Sequence, residues 1–179
     1  AKLHDETKRR SQQQEAVNKI TLAVSASLDI EEVLKIALDK VLETTGRERG
    51  YIRLRDTSTG KMTLSAYRGI SEEYARMLRE RATPEGKSAK TFTSGEPLVI
   101  NDVDQAEVRD ETRREGIKAI GWFPLKASGE VVGVLNVATV QQRPFRAQEV
   151  EFLQSIGNVI GVALEHARLF DQTKRSSEQ

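Results

Sequence analysis

The sequence predicts an α+β fold in which an antiparallel sheet built from hairpins lies between long helices at the two chain ends. Three observations lead there. Residues 51–67 and 119–140 each read as two strands around a turn. Residues 1–28 hold neither glycine nor proline, and from Ala147 onward apolar residues return every three or four positions. Between the hairpins, residues 71–116 are rich in loops and short helices.

The first helix is polar until Val17; then Val17, Ile20, Val24 and Leu28 form a stripe at helical spacing. Leu3, Arg10, Val17 and Val24 stand seven apart, a weak heptad trace. Asp29 reads as an N-cap with Glu32 three residues on, and the second helix runs to Gly46. Tyr51–Arg55 and Met62–Tyr67 alternate apolar and polar residues around the turn 56–60. A short helix over 71–82 starts at Ser71, with Glu72 and Glu73 in its first turn, and Pro84 and Gly86 interrupt the chain. Residues 87–93 suit one or two helical turns, 97–100 a short strand, and 104–115 a charged surface helix. Ala119–Leu125 and Val131–Val140 flank the turn Ser128-Gly129-Glu130, and the second strand is apolar enough to be covered on both faces. In the last helix Leu153, Ile156, Ile160, Ala163, Ala167 and Phe170 form a heptad-like seam, which Val150, Val159, Val162 and Leu164 broaden.

Composition narrows the function. The 28 Lys+Arg against 27 Asp+Glu leave a net charge of +1, without the basic excess expected of a dedicated nucleic-acid binder. There is no cysteine, which excludes disulfides, thiol nucleophiles and thiolate metal sites. The two histidines, His4 and His166, are too few for a His-rich metal site. No run approaches the ~18–20 apolar residues of a membrane span, and no signal peptide is visible at the start. A cytoplasmic location is expected.

Residues 1–13, AKLHDETKRRSQQ, match residues 167–179, ARLFDQTKRSSEQ, at eight of thirteen positions. The match, together with a start at Ala1, predicts one unit cut from a tandem array, with linker helices at both ends. The expected division is a linker helix over 1–15 from a preceding similar domain, a domain over 16–170, and an exit linker helix over 171–179.

The order of elements from Ser25 resembles a GAF domain, the small-molecule-sensing and dimerising module of signalling proteins. The matching pieces are SASLDIEEVLKIALDKVLETTGRERGYIRLRD, SGEPLVINDV, GIKAIGWFPLKASGEVVGVLNVAT and RPFRAQEVEFLQSIGNVIGVALEHARLF. The resemblance implies an antiparallel sheet of about six strands. The first, second and last helices would cover one face, and short helices and loops would close a pocket on the other. It also removes specialised activities of the family. Bilin attachment and methionine sulfoxide reduction use cysteines, and haem binding needs a pocket histidine. The acidic pair that accompanies cyclic-nucleotide binding is broken at Glu149-Val150. The expected cofactor is therefore none, with an unidentified small molecule as the candidate ligand.

By resemblance the pocket would be bounded by Tyr67, Arg68, Met77, Phe92, Asp102, Val103, Ile120 and Trp122. Trp122 would either close the pocket or pack in the core. Asp102 would either face the pocket or cap a turn after the strand. Arg68 would meet an anionic ligand or sit in an exposed loop. No catalytic constellation, metal site or phosphate loop is evident; Gly86-Lys87-Ser88 lacks the upstream glycine of such a loop. The helices expected to pair two copies carry Val17, Ile20, Val24, Leu153, Ile156, Ile160, Ala163, Ala167 and Phe170. The expected function is a non-catalytic sensory or relay domain of a multidomain signalling protein, with a histidine kinase as output, or a diguanylate cyclase. The alternatives are a specific receptor for a cyclic nucleotide or other anion, a small enzyme working in the pocket, or a structural spacer.

Overall fold

A computed structural model describes residues 2–56, 58–81 and 86–177, apart from the side chains of Lys2 and Leu3. The break expected at Pro84 lies outside the described residues, as does the side chain of the heptad position Leu3. Helix α1 (Lys2–Ser25) and helix α2 (Ile30–Thr45) come first. Asp29 caps α2 by accepting from the Glu31 N–H, and Gly46 ends it at φ 70°, a left-handed conformation that suits a residue without Cβ. Strands β1 (Arg49–Arg55) and β2 (Met62–Arg68) form the first hairpin. Helix α3 (Glu72–Glu80) is capped by the Ser71 hydroxyl, which accepts from the Tyr74 N–H at 3.0 Å. Helix α4 (Gly86–Ser94) and strand β3 (Leu98–Ile100) follow.

The next segment corrects one sequence expectation. In place of one helix over 104–115 there is a single 3-10 turn, Val103–Gln105, and the short helix α5 (Asp110–Arg114). Val103 is buried and Val108 packs against the same cluster. Residues five apart fall on different sides of an α-helix, so directing both inward splits the segment.

Strands β4 (Ala119–Ala127) and β5 (Glu130–Thr139) make the second hairpin, and α6 (Ala147–Ser177) closes the chain. The sheet is antiparallel throughout, in the order β2-β1-β5-β4-β3. Five strands are present among the described residues, matching the five apolar runs of the sequence; the approximate count of six came with the resemblance.

Strand alternation sorts residues onto two faces. Ile52, Leu135, Val137, Phe123 and Leu125 meet α1, α2 and α6 in the main core. Ile120, Trp122, Val134 and Ala138 turn to the other face, under α4 and the 103–108 segment. Helix α6 approaches β4 closely because it carries glycine where the two backbones meet. A Cβ on Gly157 would stand 2.6 Å from the Pro124 carbonyl oxygen, and one on Gly161 would run into the Lys126 backbone.

The residues expected to pair two copies serve mainly the chain's own core. Leu153, Ile156 and Ile160 are fully buried in the main core, as are Ile20 and Val24, and Ala167 is buried as well. Val17 and Ala163 are half-buried, and Phe170 is exposed. Helical spacing reveals an apolar stripe but not which surface receives it. The apolar residues left outside on these helices are Leu22, Val162, Leu169 and Phe170, with Leu28 in the α1–α2 connection.

One buried ion pair locks the ends of the core together. The Arg47 side chain, 0% exposed, donates to both carboxylate oxygens of Glu149 at 2.8 Å. It also donates to the carbonyls of Arg143 and Pro144 and lies 3.7 Å from the Phe145 ring centroid. This fork ties the α2–β1 junction to the first turn of α6.

Candidate functional site

On the sheet face away from α6, a cavity of about 420 Å³ opens between β1, α3, α4 and the segment 107–112. Its floor follows from register. Tyr51 pairs with Asn136, which pairs with Trp122, so these three lie side by side across the middle of the sheet. Arg53 stands two residues along β1 on the Tyr51 face, and it is buried in a strand otherwise flanked by apolar residues. Tyr74, Met77, Leu78 and Arg81 supply one wall from α3 and its C-terminus. Glu107, Val108, Arg109 and Thr112 form the opposite wall, and Gly86, Lys87, Ser88 and Lys90 line the cavity from α4.

The two walls are tied together. The Arg81 Nη2 donates to Glu111 at 3.0 Å, and the Tyr74 and Thr112 hydroxyls stand 3.4 Å apart. Glu115 accepts from the Ser71 N–H and hydroxyl and from Arg49. Burial pushes the Tyr51 phenol far above its ordinary value, and the neighbouring Tyr74 adds to the shift. Burial likewise raises Tyr74. Both therefore stay neutral hydrogen-bonding groups at physiological pH. Burial lowers the Arg53 pKa, and the like charges of Arg109 and Arg81 lower it further; arginine nevertheless stays protonated.

Of the residues that sequence reasoning placed around a pocket, Met77 and Trp122 line this cavity. The other six are elsewhere. Tyr67 donates to Glu72 at 2.9 Å near the sheet edge, with Arg79 over its ring. Arg68 turns to the opposite face and pairs with Asp39 of α2 at 2.9 Å. Val103 and Ile120 are sealed in the core beneath α4, and Phe92 packs against them. Asp102 caps the 3-10 turn by accepting from the Asp104 N–H at 3.1 Å. Tyr51, Arg53, Tyr74 and Arg81 also line the cavity and were not among the residues expected there. One signal was present: Arg53 shares a face with Tyr51 in a strand whose other face, Ile52 and Leu54, is apolar.

Sheet, helical layer and lidded cavity together define a sensor-type α+β domain. The chain matches the GAF domain family over residues 27–165 and belongs to it. It is 28% identical to the Nif-specific regulatory protein of Herbaspirillum seropedicae, over 91% of this chain and 33% of that one. It is 22% identical to a methyl sulfide methyltransferase-associated sensor of Methanosarcina acetivorans, over 90% of this chain and 17% of that one. The chain thus spans a third or less of these relatives. Among solved structures, a domain assigned to a two-component sensor histidine kinase of Sinorhizobium meliloti 1021 superposes with a TM-score of 0.69. The two are 27% identical, and the match covers 82% of this chain and 97% of that one. The GAF domain of a Coxiella burnetii phosphoenolpyruvate-protein phosphotransferase gives a TM-score of 0.77 at 20% identity, covering 90% and 98%, and shares the fold. No helix among the described residues is long and apolar enough to cross a membrane.

Proposed function

We propose that this GAF domain is a non-catalytic sensory module of a larger signalling protein. It binds a small molecule in the cavity over β1 and β4, associates with a second copy through α1 and α6, and passes the change along α6. The observation that carries this reading is that β4 is shared. Its Trp122 lines the cavity, while the Pro124 and Lys126 backbone on the same strand is the seat of Gly157 and Gly161 of α6. A shift of the strand on ligand binding therefore bears directly on the helix. Leu28, Val159, Val162 and Ala163 line an apolar groove where the end of α1 meets α6, and His166 stands on its edge. Leu169 and Phe170 each follow a groove residue by seven positions, which extends the same face. The matched segments 1–13 and 167–179 fit a unit in series with similar domains.

The output we favour is a sensor kinase, by similarity to the Sinorhizobium domain. A regulator of the Nif-specific type is the second reading, favoured by the 28% identity to the Herbaspirillum protein. Trp122, the single tryptophan, reports on both parts. Titration with a panel of metabolites is expected to change its fluorescence, and light scattering at tens of micromolar protein is expected to give twice 20.0 kDa. A monomer whose fluorescence no compound alters contradicts the reading.

A further inference from the structure

The side chains around the cavity carry an imbalance of charge. Arg53, Arg81, Lys87, Lys90 and Arg109 line it, and Glu107 is the sole carboxylate among the described lining residues. Arg53 is only 4% exposed, yet among the described residues no carboxylate is a hydrogen-bond partner of it. Its Nη2 donates to the carbonyls of Leu78, at 3.2 Å, and Arg81 at the end of α3. Its Nε is buried without a partner among the described residues. Arg81 gives Nη2 to Glu111, and its Nη1 is likewise buried and unpartnered. Native proteins rarely leave such donors unsatisfied, because a buried polar group without a partner destabilises the fold. Two cationic side chains that line one cavity, each with a donor unsatisfied among the described residues, favour an acceptor with negative charge there.

We infer that the cavity takes a small metabolite bearing a carboxylate or phosphate group, whose oxyanion is held by the guanidinium groups of Arg53 and Arg81 and whose body packs on Tyr51 and Trp122. This assignment of ligand class rests on the sensory reading above. The volume of about 420 Å³ suits a metabolite rather than a peptide. Guanidinium groups suit oxyanions in particular, and each of these two keeps one buried N–H unsatisfied among the described residues, Nε of Arg53 and Nη1 of Arg81. Bound anion also relieves the repulsion among Arg53, Arg81 and Arg109. Arg81 would be held by ligand and Glu111 together, so occupancy tightens the bridge between α3 and α5.

The test is calorimetric titration of the whole chain at low ionic strength. One arm uses carboxylates (succinate and citrate), a second uses phosphates (inorganic phosphate and AMP), and a third the uncharged partners succinamide and adenosine. The expected result is binding in one anionic arm at least tenfold tighter than its uncharged partner, weakening with salt. Arg81→Gln should lower that affinity at least tenfold and Arg81→Lys should restore part of it, while Arg68→Gln on the far face leaves it unchanged. Arg53→Met is the stronger variant but also removes a tie to α3; Arg81→Gln keeps the test open if it fails to fold. Uncharged compounds that bind as tightly as the anions, or an Arg81→Gln chain with unaltered affinity, overturn the oxyanion assignment and leave the sensory reading standing. Binding in none of the three arms, with Trp122 fluorescence unmoved, overturns both.

Discussion

Replacing Gly157 with alanine separates two physical effects by sign. Helix propensity alone favours alanine over glycine in a helix interior by ~1 kcal/mol, so a helix resting loosely on the sheet would gain stability. The structure predicts the reverse. The new Cβ would meet the Pro124 carbonyl oxygen at 2.6 Å, whereas ordinary contact begins at 3.4 Å, so helix and strand must part by about 0.8 Å. A gap of that size forfeits roughly a quarter to a half of the dispersion contact across it. The side chains that lose it are Leu153, Ile156 and Ile160, all fully buried on that face and worth roughly 1.5–3 kcal/mol each by burial. The loss is about 1.5–3 kcal/mol, and after the propensity gain the net destabilisation is about 0.5–2 kcal/mol. With a urea m-value of about 2 kcal/mol/M, the midpoint followed by circular dichroism falls by roughly 0.25–1 M. Asn158→Ala, exposed one residue on, provides the control and should be neutral or slightly stabilising. A Gly157→Ala chain as stable as the parent, or more so, would refute the close seat of α6 on β4.

Three other outcomes follow from the same structure. Arg47→Met strips a 0%-exposed guanidinium from Glu149 and two carbonyls; breaking such a buried pair costs ~3–5 kcal/mol, and urea unfolding should show it. Burial opposes the charge on Glu48, but hydrogen bonds from the Val140 N–H and the Thr139 hydroxyl outweigh it and hold the carboxyl below its ordinary value of 4.5. That stabilisation is present above pH 4.5 and fades as pH falls through the lower folded-state value. Thermal melts across this acid range should therefore be flatter for Glu48→Gln than for the parent. On the outer face of α6, Phe170→Glu should convert a dimer to monomer in light scattering without lowering the melting temperature, because Phe170 is 47% exposed in the single chain.

Much of the fold was legible in the sequence because its signals are local. Strand alternation, the Asp29 and Ser71 caps and the Gly46 stop each depend on a few neighbouring residues, and each is where the spacing put it. Side-chain destinations were less legible. The seam Leu153–Ile156–Ile160 was plain as a stripe, yet the stripe serves the sheet, and the apolar residues left outside are Val162, Leu169 and Phe170. The cavity was harder still. Arg68 and Arg53 are both arginines in adjacent strands, and only the register and the bulge between Ile52 and Arg53 decide which faces inward. Arg81 lies beyond the end of α3, where no periodicity speaks for it.

If the cavity and α6 communicate through β4, ligand binding must be felt along the helix. Hydrogen–deuterium exchange of the chain, with and without saturating amounts of the tightest-binding anion of the panel, tests it most directly. Slower exchange is expected in α3 and the 107–112 segment together with an altered rate along α6. Protection confined to the cavity, with α6 unchanged from Ala147 to Ser177, would contradict it.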